Sequence, residues 1–141
     1  MKKRLWTLSV AAALLALARP AAADDLKGQQ FLLCAAVQAT LCTSDGECTT
    51  EPPWNLNIPQ FVEVNLVDKM LSTTKASGEN RTTPIRTLLR EGGQIFLQGV
   101  EGGRAFSFVI EESTGMASIA VAREGKTVSV FGACTPRASA K

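Results

Sequence analysis

The sequence predicts an all-β fold: a single antiparallel up-and-down meander of about eight strands, stapled by disulfides and curled into a small barrel or a strongly curved sheet. Glycine-containing turns recur every ten to twelve residues in the second half of the chain, and runs of alternating apolar and polar residues lie between them. Four cysteines stand near the two ends of this meander. A long sheet that is apolar on one face must curl to bury that face.

The N-terminal segment has the pattern of a secretory signal peptide. A basic stretch at residues 1–4 precedes an apolar run at residues 5–17, and small residues lead up to Ala23. The apolar run is too short to span a membrane. We therefore expect cleavage near Ala23, a single domain over residues 24–141, no membrane span, and a periplasmic or secreted location.

The charge balance changes when the signal is removed. The whole chain carries 15 Lys and Arg against 13 Asp and Glu, and four of the basic residues lie in the first 23 positions. The remaining 11 basic and 13 acidic residues give a net charge of −2. A nucleic-acid partner requires clustered basic residues on the folded part. We predict no nucleic-acid partner and expect a monomer.

The four cysteines predict disulfides, because an exported chain folds in an oxidising compartment. Cys42 and Cys48 flank an Asp-Gly turn, so a hairpin would bring them together, and Cys34 is then left to pair with Cys134. A Cys34–Cys42 bridge is the alternative that peptide mapping would reveal. The sequence has no histidine and no Cys-x-x-Cys motif, so we predict neither a metal nor a cofactor.

The first half of the chain is less regular than the second. Residues 61–66, 70–74 and 84–90 read as strands. The segment 31–42 is ambiguous, since its alanines suit a helix. We favour a strand because alternate positions form one unbroken apolar face, which consists of Phe31, Leu33, Ala35, Val37, Ala39 and Leu41.

Residues 52–59 contain three prolines and predict an irregular strap. Trp54 lies within it, and its side chain either caps the open end of the barrel or lines a ligand or partner surface. Arg86 and Arg90 share one face of the strand at 84–90. That face is either a solvated outer surface or an anion site.

Turns at residues 91–94, 101–104, 113–115 and 123–126 delimit four strands in the second half. Phe106, Phe108 and Ile110 share one face of the second of these strands, and Val128 and Val130 share one face of the last. This period of two predicts a sheet that is covered on one side only.

The predicted Cys34–Cys134 bridge raises a question of parity. Cys34 shares its face with Gln30 and Gln38, whereas Cys134 shares its face with valines. Residues that pair on adjacent strands must face the same side. Either Gly132 marks a bulge that changes the parity, or Cys34 lies just outside regular pairing.

Catalytic chemistry has little support in the sequence. The lack of histidine excludes a Ser-His-Asp or Cys-His system. Glu111 and Glu112 are neighbours on a strand and therefore face opposite sides, so they cannot share a proton, and we place them at a solvated strand end. We predict that the protein is not an enzyme.

Several short motifs carry a resemblance to known proteins. They are the Cys34…Cys42…Gly46-x-Cys48 spacing, Ile58-Pro59-x-Phe61, Leu97-Gln98-Gly99-Val100-Glu101, Thr114-Gly115-Met116 and Phe131-Gly132-Ala133-Cys134. With these motifs the chain resembles a family of small exported proteobacterial proteins, which implies an exported disulfide-bonded domain and no particular activity. More distantly it is similar to periplasmic inhibitors of C-type lysozyme. Those use a Ser-Gly-x-x-Tyr loop, where this chain has Ser113-Thr114-Gly115-Met116.

Two functions follow as hypotheses. The first is a non-catalytic binding or accessory domain that holds a small ligand or a protein partner, which predicts a cavity inside the barrel or an apolar surface near Trp54. The second is an enzyme inhibitor of the lysozyme-inhibitor kind, which predicts a protruding loop at residues 72–83 or 113–115.

Overall fold

The protein consists of β-strands that are joined mostly by short turns. The computed structural model describes residues 25–77 and 80–138, so the predicted signal at residues 1–23 lies outside the described residues. Within these two ranges the chain forms two short 3-10 turns, Pro53–Leu56 and Lys75–Ser77, and ten strands. The strands are β1 (Phe31–Thr43), β2 (Cys48–Glu51), β3 (Phe61–Asn65), β4 (Met70–Thr73), β5 (Thr82–Pro84), β6 (Thr87–Glu91), β7 (Gln94–Glu101), β8 (Arg104–Glu111), β9 (Met116–Arg123) and β10 (Lys126–Pro136).

The predicted all-β meander is confirmed. All strands pair antiparallel in the order β5-β4-β3-β1-β10-β9-β8-β7-β6, and β2 also pairs with β1. The two ends of this curled sheet meet where the chain passes from β5 to β6. There the Ile85 amide donates to the Lys69 carbonyl and the next amide, that of Arg86, donates to the Gln98 carbonyl on β7.

The strand count differs from the predicted eight for two local reasons. The segment that follows the Asp-Gly turn forms the additional strand β2 against the second half of β1. The run predicted at 84–90 divides into β5 and β6, because the chain changes its hydrogen-bonding partner at Ile85 and Arg86. Neither change alters the sequential order of the meander.

Both predicted disulfides are present. Cys34 and Cys134 are direct partners in the β1–β10 register, with their Cα atoms 4.0 Å apart. Cys42 and Cys48 are direct partners in the β1–β2 hairpin, with their Cα atoms 4.2 Å apart. The alternative Cys34–Cys42 bridge is therefore excluded, and the first strand is tied covalently to the last.

A bulge in β1 resolves the parity question. The register of β1 against β10 shifts between Ala36 and Gln38, so Val37 is an extra residue in β1 and lies opposite the Gly132 region of β10. Cys34 lies within regular pairing, which rules out the second alternative. The bulge is at the level of Gly132, but the extra residue belongs to β1, not to β10.

The bulge also corrects the predicted inner face of β1. Before it, the buried residues are Leu32 and Cys34, which have the opposite parity to the predicted apolar face. After it, Ala39 is buried as predicted, whereas Val37 is 71% exposed. The unbroken alternation was misleading because one extra residue exchanges the two faces of a strand.

Apolar side chains fill one end of the curled sheet, which we call the closed end. The core there includes Leu32, Val64, Ile95 and Ile110, and Leu26 lies among them with no exposed surface. Leu26 precedes β1, and its amide donates to the Glu112 carbonyl at 2.7 Å, which fixes the segment across this end. Within the described residues no helix is long and apolar enough to cross a membrane.

Candidate ligand-binding site

The interior of the sheet is not filled throughout. Beyond the packed core lies a cavity of about 100 Å³, which we call the inner cavity. Residues from most strands of the curled sheet line this cavity. The lining is mostly apolar, since the inward-facing positions of an alternating strand carry the apolar residues. The apolar lining includes Val62, Phe106, Phe108, Ile119, Val121 and Val130.

One side of the inner cavity is polar and charged. Glu101 and Arg104 flank the β7–β8 turn as cross-strand partners, with Arg104 Nη2 3.7 Å from Glu101 Oε2. Arg81, which immediately precedes β5, places Nη1 3.8 Å from the same oxygen. Thr83 donates from its hydroxyl to Glu101 Oε1 at 2.8 Å. One carboxylate thus lies between two guanidinium groups at the cavity wall.

The proline-rich strap of residues 52–59 lies beside the inner cavity. Its Ile58 and Pro59 line the cavity, and the Gln60 carbonyl accepts the Ala36 amide of β1 at 2.9 Å. Asn57 adopts a left-handed backbone, with φ of 57°, and its amide donates to the carbonyl of Trp54. This tight turn directs the following residues towards the interior. We call this end of the sheet the strap end.

A second depression, the outer groove, adjoins the inner cavity at the strap end. It has a volume of about 290 Å³ and shares Asn57, Ile58, Arg104 and Val121 with the lining of the inner cavity. Arg123 and Lys126, the two residues that flank the β9–β10 turn, also line it. The groove therefore combines apolar side chains with three cationic groups.

The three residues predicted for a ligand or partner surface do not share one site. Trp54 is 58% exposed and lines neither the inner cavity nor the outer groove, whereas its neighbour Pro53 is buried. Arg86 is exposed and lines a separate shallow depression on the outside of the sheet, together with Gln98 and Val100.

Arg90, the third of these residues, has a structural role at the closed end. Its Nε lies 2.9 Å from Glu112 Oε1, and its Nη2 donates to the Gln29 carbonyl at 2.6 Å. Glu112 is only 8% exposed, which corrects its predicted place at a solvated strand end. The ion pair neutralises a buried carboxylate where residues 25–30 cross the sheet.

The loops considered for an inhibitor differ in what the structure shows of them. Gly115 is buried, and its carbonyl accepts the Cys134 amide at 2.7 Å, so the end of the 113–115 turn is held against β10. Ser113 and Thr114 are exposed at the same turn. The 72–83 segment includes residues 78 and 79, which lie outside the described residues.

Sequence reasoning missed the residues that surround the inner cavity and the outer groove. From the sequence, Arg104, Arg123 and Lys126 are assigned only to turns. A usable signal was present, since alternate turns of an up-and-down meander lie at the same end of the sheet. The β7–β8 and β9–β10 turns are such a pair, and both carry cations.

The arrangement suits binding through apolar contact and charge. Among the described residues, no cluster of three or more His, Cys, Asp or Glu side chains could hold a metal ion. An apolar recess with a few polar groups at its edge is the usual form of a small-ligand site. The chain matches no protein-family model, no curated protein and no solved structure.

Proposed function

We propose that this protein is a non-catalytic, exported binding domain that holds a small apolar ligand or ligand segment inside its curled sheet. The observation that carries the proposal is the contrast between the two ends of the interior. Leu26 and its neighbours fill the closed end, whereas a cavity remains at the strap end. Side chains alone fill the interior of many small barrels, so an unfilled apolar recess is a feature to explain.

The size of the inner cavity limits the ligand. A cavity of about 150 Å³ lined by apolar side chains is known to accept benzene. The inner cavity is smaller, at about 100 Å³. It therefore suits the terminal carbons of a narrow alkyl chain better than a ring system, and the rest of a longer chain would lie in the outer groove. A non-catalytic role is supported by the lack of histidine in the chain, since acid–base catalysis near neutral pH most often uses that residue.

Export is part of the proposal. The basic and apolar N-terminal pattern supports cleavage near Ala23, and two disulfides suit an oxidising compartment such as the periplasm. Mass spectrometry of the protein recovered from periplasmic and culture fractions would test this. We expect a chain that begins at Asp24 with all four cysteines oxidised, and an intact N-terminus in the cytoplasmic fraction alone would contradict export.

Binding is tested by titrating the oxidised protein with n-octanol in a calorimeter. Val121 lines both the inner cavity and the outer groove, so the larger side chain of Val121→Phe should fill space where the two adjoin and weaken binding at least tenfold. Ser118→Phe on the same strand is the matched control, because Ser118 is exposed on the other face. Binding that Val121→Phe leaves unchanged would place the ligand elsewhere and contradict the proposal.

The alternative role as a lysozyme inhibitor is distinguished by a separate assay. Residual activity of a C-type lysozyme is measured across a molar excess of the oxidised protein. A flat response removes the inhibitor role and leaves the ligand-binding proposal standing. Stoichiometric inhibition that Val121→Phe does not affect would instead favour the inhibitor role.

A further inference from the structure

The inner cavity and the outer groove form one continuous recess with two different chemistries. The four residues shared by their linings place the boundary at the strap and at Arg104. The inner part is apolar over most of its wall. The outer part presents Arg104, Arg123 and Lys126, and no Asp or Glu is among the described residues that line it. A ligand that spans both parts would contact cations in the outer groove and apolar side chains in the inner cavity.

Cationic side chains outnumber carboxylates in this recess. Glu101 is the one carboxylate on the wall of the inner cavity among the described residues, and it faces both Arg81 and Arg104. Arg123 and Lys126 add two further cations in the outer groove. Glu124 lies in the turn between them but is exposed and does not line the groove. The concentration of cations contrasts with the net charge of −2 over residues 24–141.

The placement of two of these cations opposite each other is unfavourable by itself. Arg123 and Lys126 are direct cross-strand partners in the β9–β10 hairpin. Like charges directly opposite each other on adjacent strands destabilise the pairing. An anion held between them would relieve that repulsion. This geometry is a second indication, independent of the lining, that the groove receives a negatively charged group.

We propose that the ligand is an anionic amphiphile whose linear alkyl chain ends in the inner cavity and whose carboxylate or phosphate group lies in the outer groove. This inference rests on the proposed function and adds the chemical class of the ligand. Arg104 stands at the boundary, where its planar guanidinium can donate two parallel hydrogen bonds to either acid group. Arg123 and Lys126 supply the remaining positive charge.

The experiment compares three ligands that share one alkyl chain: n-octanol, octanoate and octyl phosphate. Each is titrated calorimetrically into the oxidised protein at low ionic strength. We expect both anions to bind at least tenfold more tightly than the alcohol, and we expect that preference to shrink in 0.5 M salt, where screening over about 4 Å weakens exposed charge pairs. Acetate and inorganic phosphate serve as headgroups without a chain and should bind at least a hundredfold more weakly than octanoate and octyl phosphate.

Variants separate the roles of charge and apolar surface. The double variant Arg123→Gln/Lys126→Gln should reduce the affinity for both anions about tenfold more than it reduces the affinity for octanol. Arg86→Gln is the matched control, since Arg86 lies in a different depression on the outside of the sheet. Circular dichroism and a thermal unfolding curve confirm that each variant is folded before it is titrated.

The outcomes distinguish this inference from the proposed function. Octanol that binds as tightly as both anions would overturn the amphiphile assignment and leave the binding domain standing. Failure of all three ligands to bind the folded protein would overturn both. A preference for octanoate or for octyl phosphate supports the inference and identifies the acid group. Equal loss of octanol and anion binding in the double variant would contradict the assigned role of the cations.

Discussion

A Cβ atom at Gly132 would overlap the backbone carbonyl oxygen of Ala35 on the neighbouring strand. The two strands approach this closely at the level where Val37 forms the bulge in β1. Because the conflicting atom belongs to the backbone, a side-chain rotation cannot relieve it. Gly132 is therefore required by the contact between the first and last strands, two residues away from the disulfide that joins them.

The first prediction is that Gly132→Ala destabilises the fold by about 1–3 kcal/mol, the usual cost of overpacking a close contact. Chemical denaturation followed by fluorescence of Trp54 would measure the change. Ser129→Ala on the same strand is the control, since Ser129 is exposed, and its effect should be within about 0.5 kcal/mol. Equal stability of Gly132→Ala and the unmodified protein would show that β1 and β10 do not meet as described.

The second prediction compares the two disulfides. Cys34 and Cys134 are separated by 100 residues and Cys42 and Cys48 by 6, so the first bridge constrains the unfolded chain far more. On the chain-entropy relation, replacing Cys34 and Cys134 with Ala costs about 4.7 kcal/mol, and replacing Cys42 and Cys48 costs roughly half of that. Urea unfolding of the two double variants measures both. A larger loss from the Cys42/Cys48 variant would contradict this ranking.

The third prediction concerns the closed end. Leu26 has no exposed surface although it precedes the first strand, so Leu26→Ala should cost about 2–5 kcal/mol through the cavity it leaves. Lys27→Ala is the matched control, because the neighbouring Lys27 is exposed. Thermal unfolding measures both. If Leu26→Ala unfolds at the same temperature as the unmodified protein, residues 25–30 do not cover this end in solution.

The fourth prediction concerns Asp45 in the turn between Cys42 and Cys48. The Thr43 hydroxyl and then the Glu47 amide donate hydrogen bonds to its carboxylate, and these lower the pKa of Asp45 below its ordinary value. Any stability that Asp45 contributes is therefore present above its unfolded-state pKa and is lost as the pH falls through the lower folded-state pKa.

An NMR titration of the Asp45 side chain measures this pKa directly. Thr43→Val should raise it towards the ordinary value, because the variant removes the larger of the two hydrogen bonds. Thr40→Val is the control, since the Thr40 hydroxyl bonds with Thr50 and not with Asp45. A pKa that is unaffected by Thr43→Val would show that the hydroxyl contact is absent in solution.

The sequence predicted well wherever the governing interactions are local. Turn glycines and alternation define β7 to β10, because a strand's faces and a tight turn's backbone depend on residues next to one another. The Asp-Gly turn correctly indicated the Cys42–Cys48 hairpin, and elimination then assigned Cys34 to Cys134. The prediction of the buried face from alternation was wrong in β1, where Val37 is unpaired in the β1–β10 register. No local sequence pattern indicates this extra residue.

Only the tertiary structure decided how the interior is filled. Leu26 lies in the core although it belongs to no strand. Ile58 lines the cavity, whereas Trp54 is exposed to solvent. Arg104, Arg123 and Lys126 line the same groove at the strap end. Each of these facts depends on register, curvature and the joining of β1 to β10, which bring together residues far apart in the chain. The sequence by itself determined a disulfide-stapled meander through short-range periodicity. The curling of that meander determined where the cavity and its cations lie, because the curvature of a sheet depends on all the strands together.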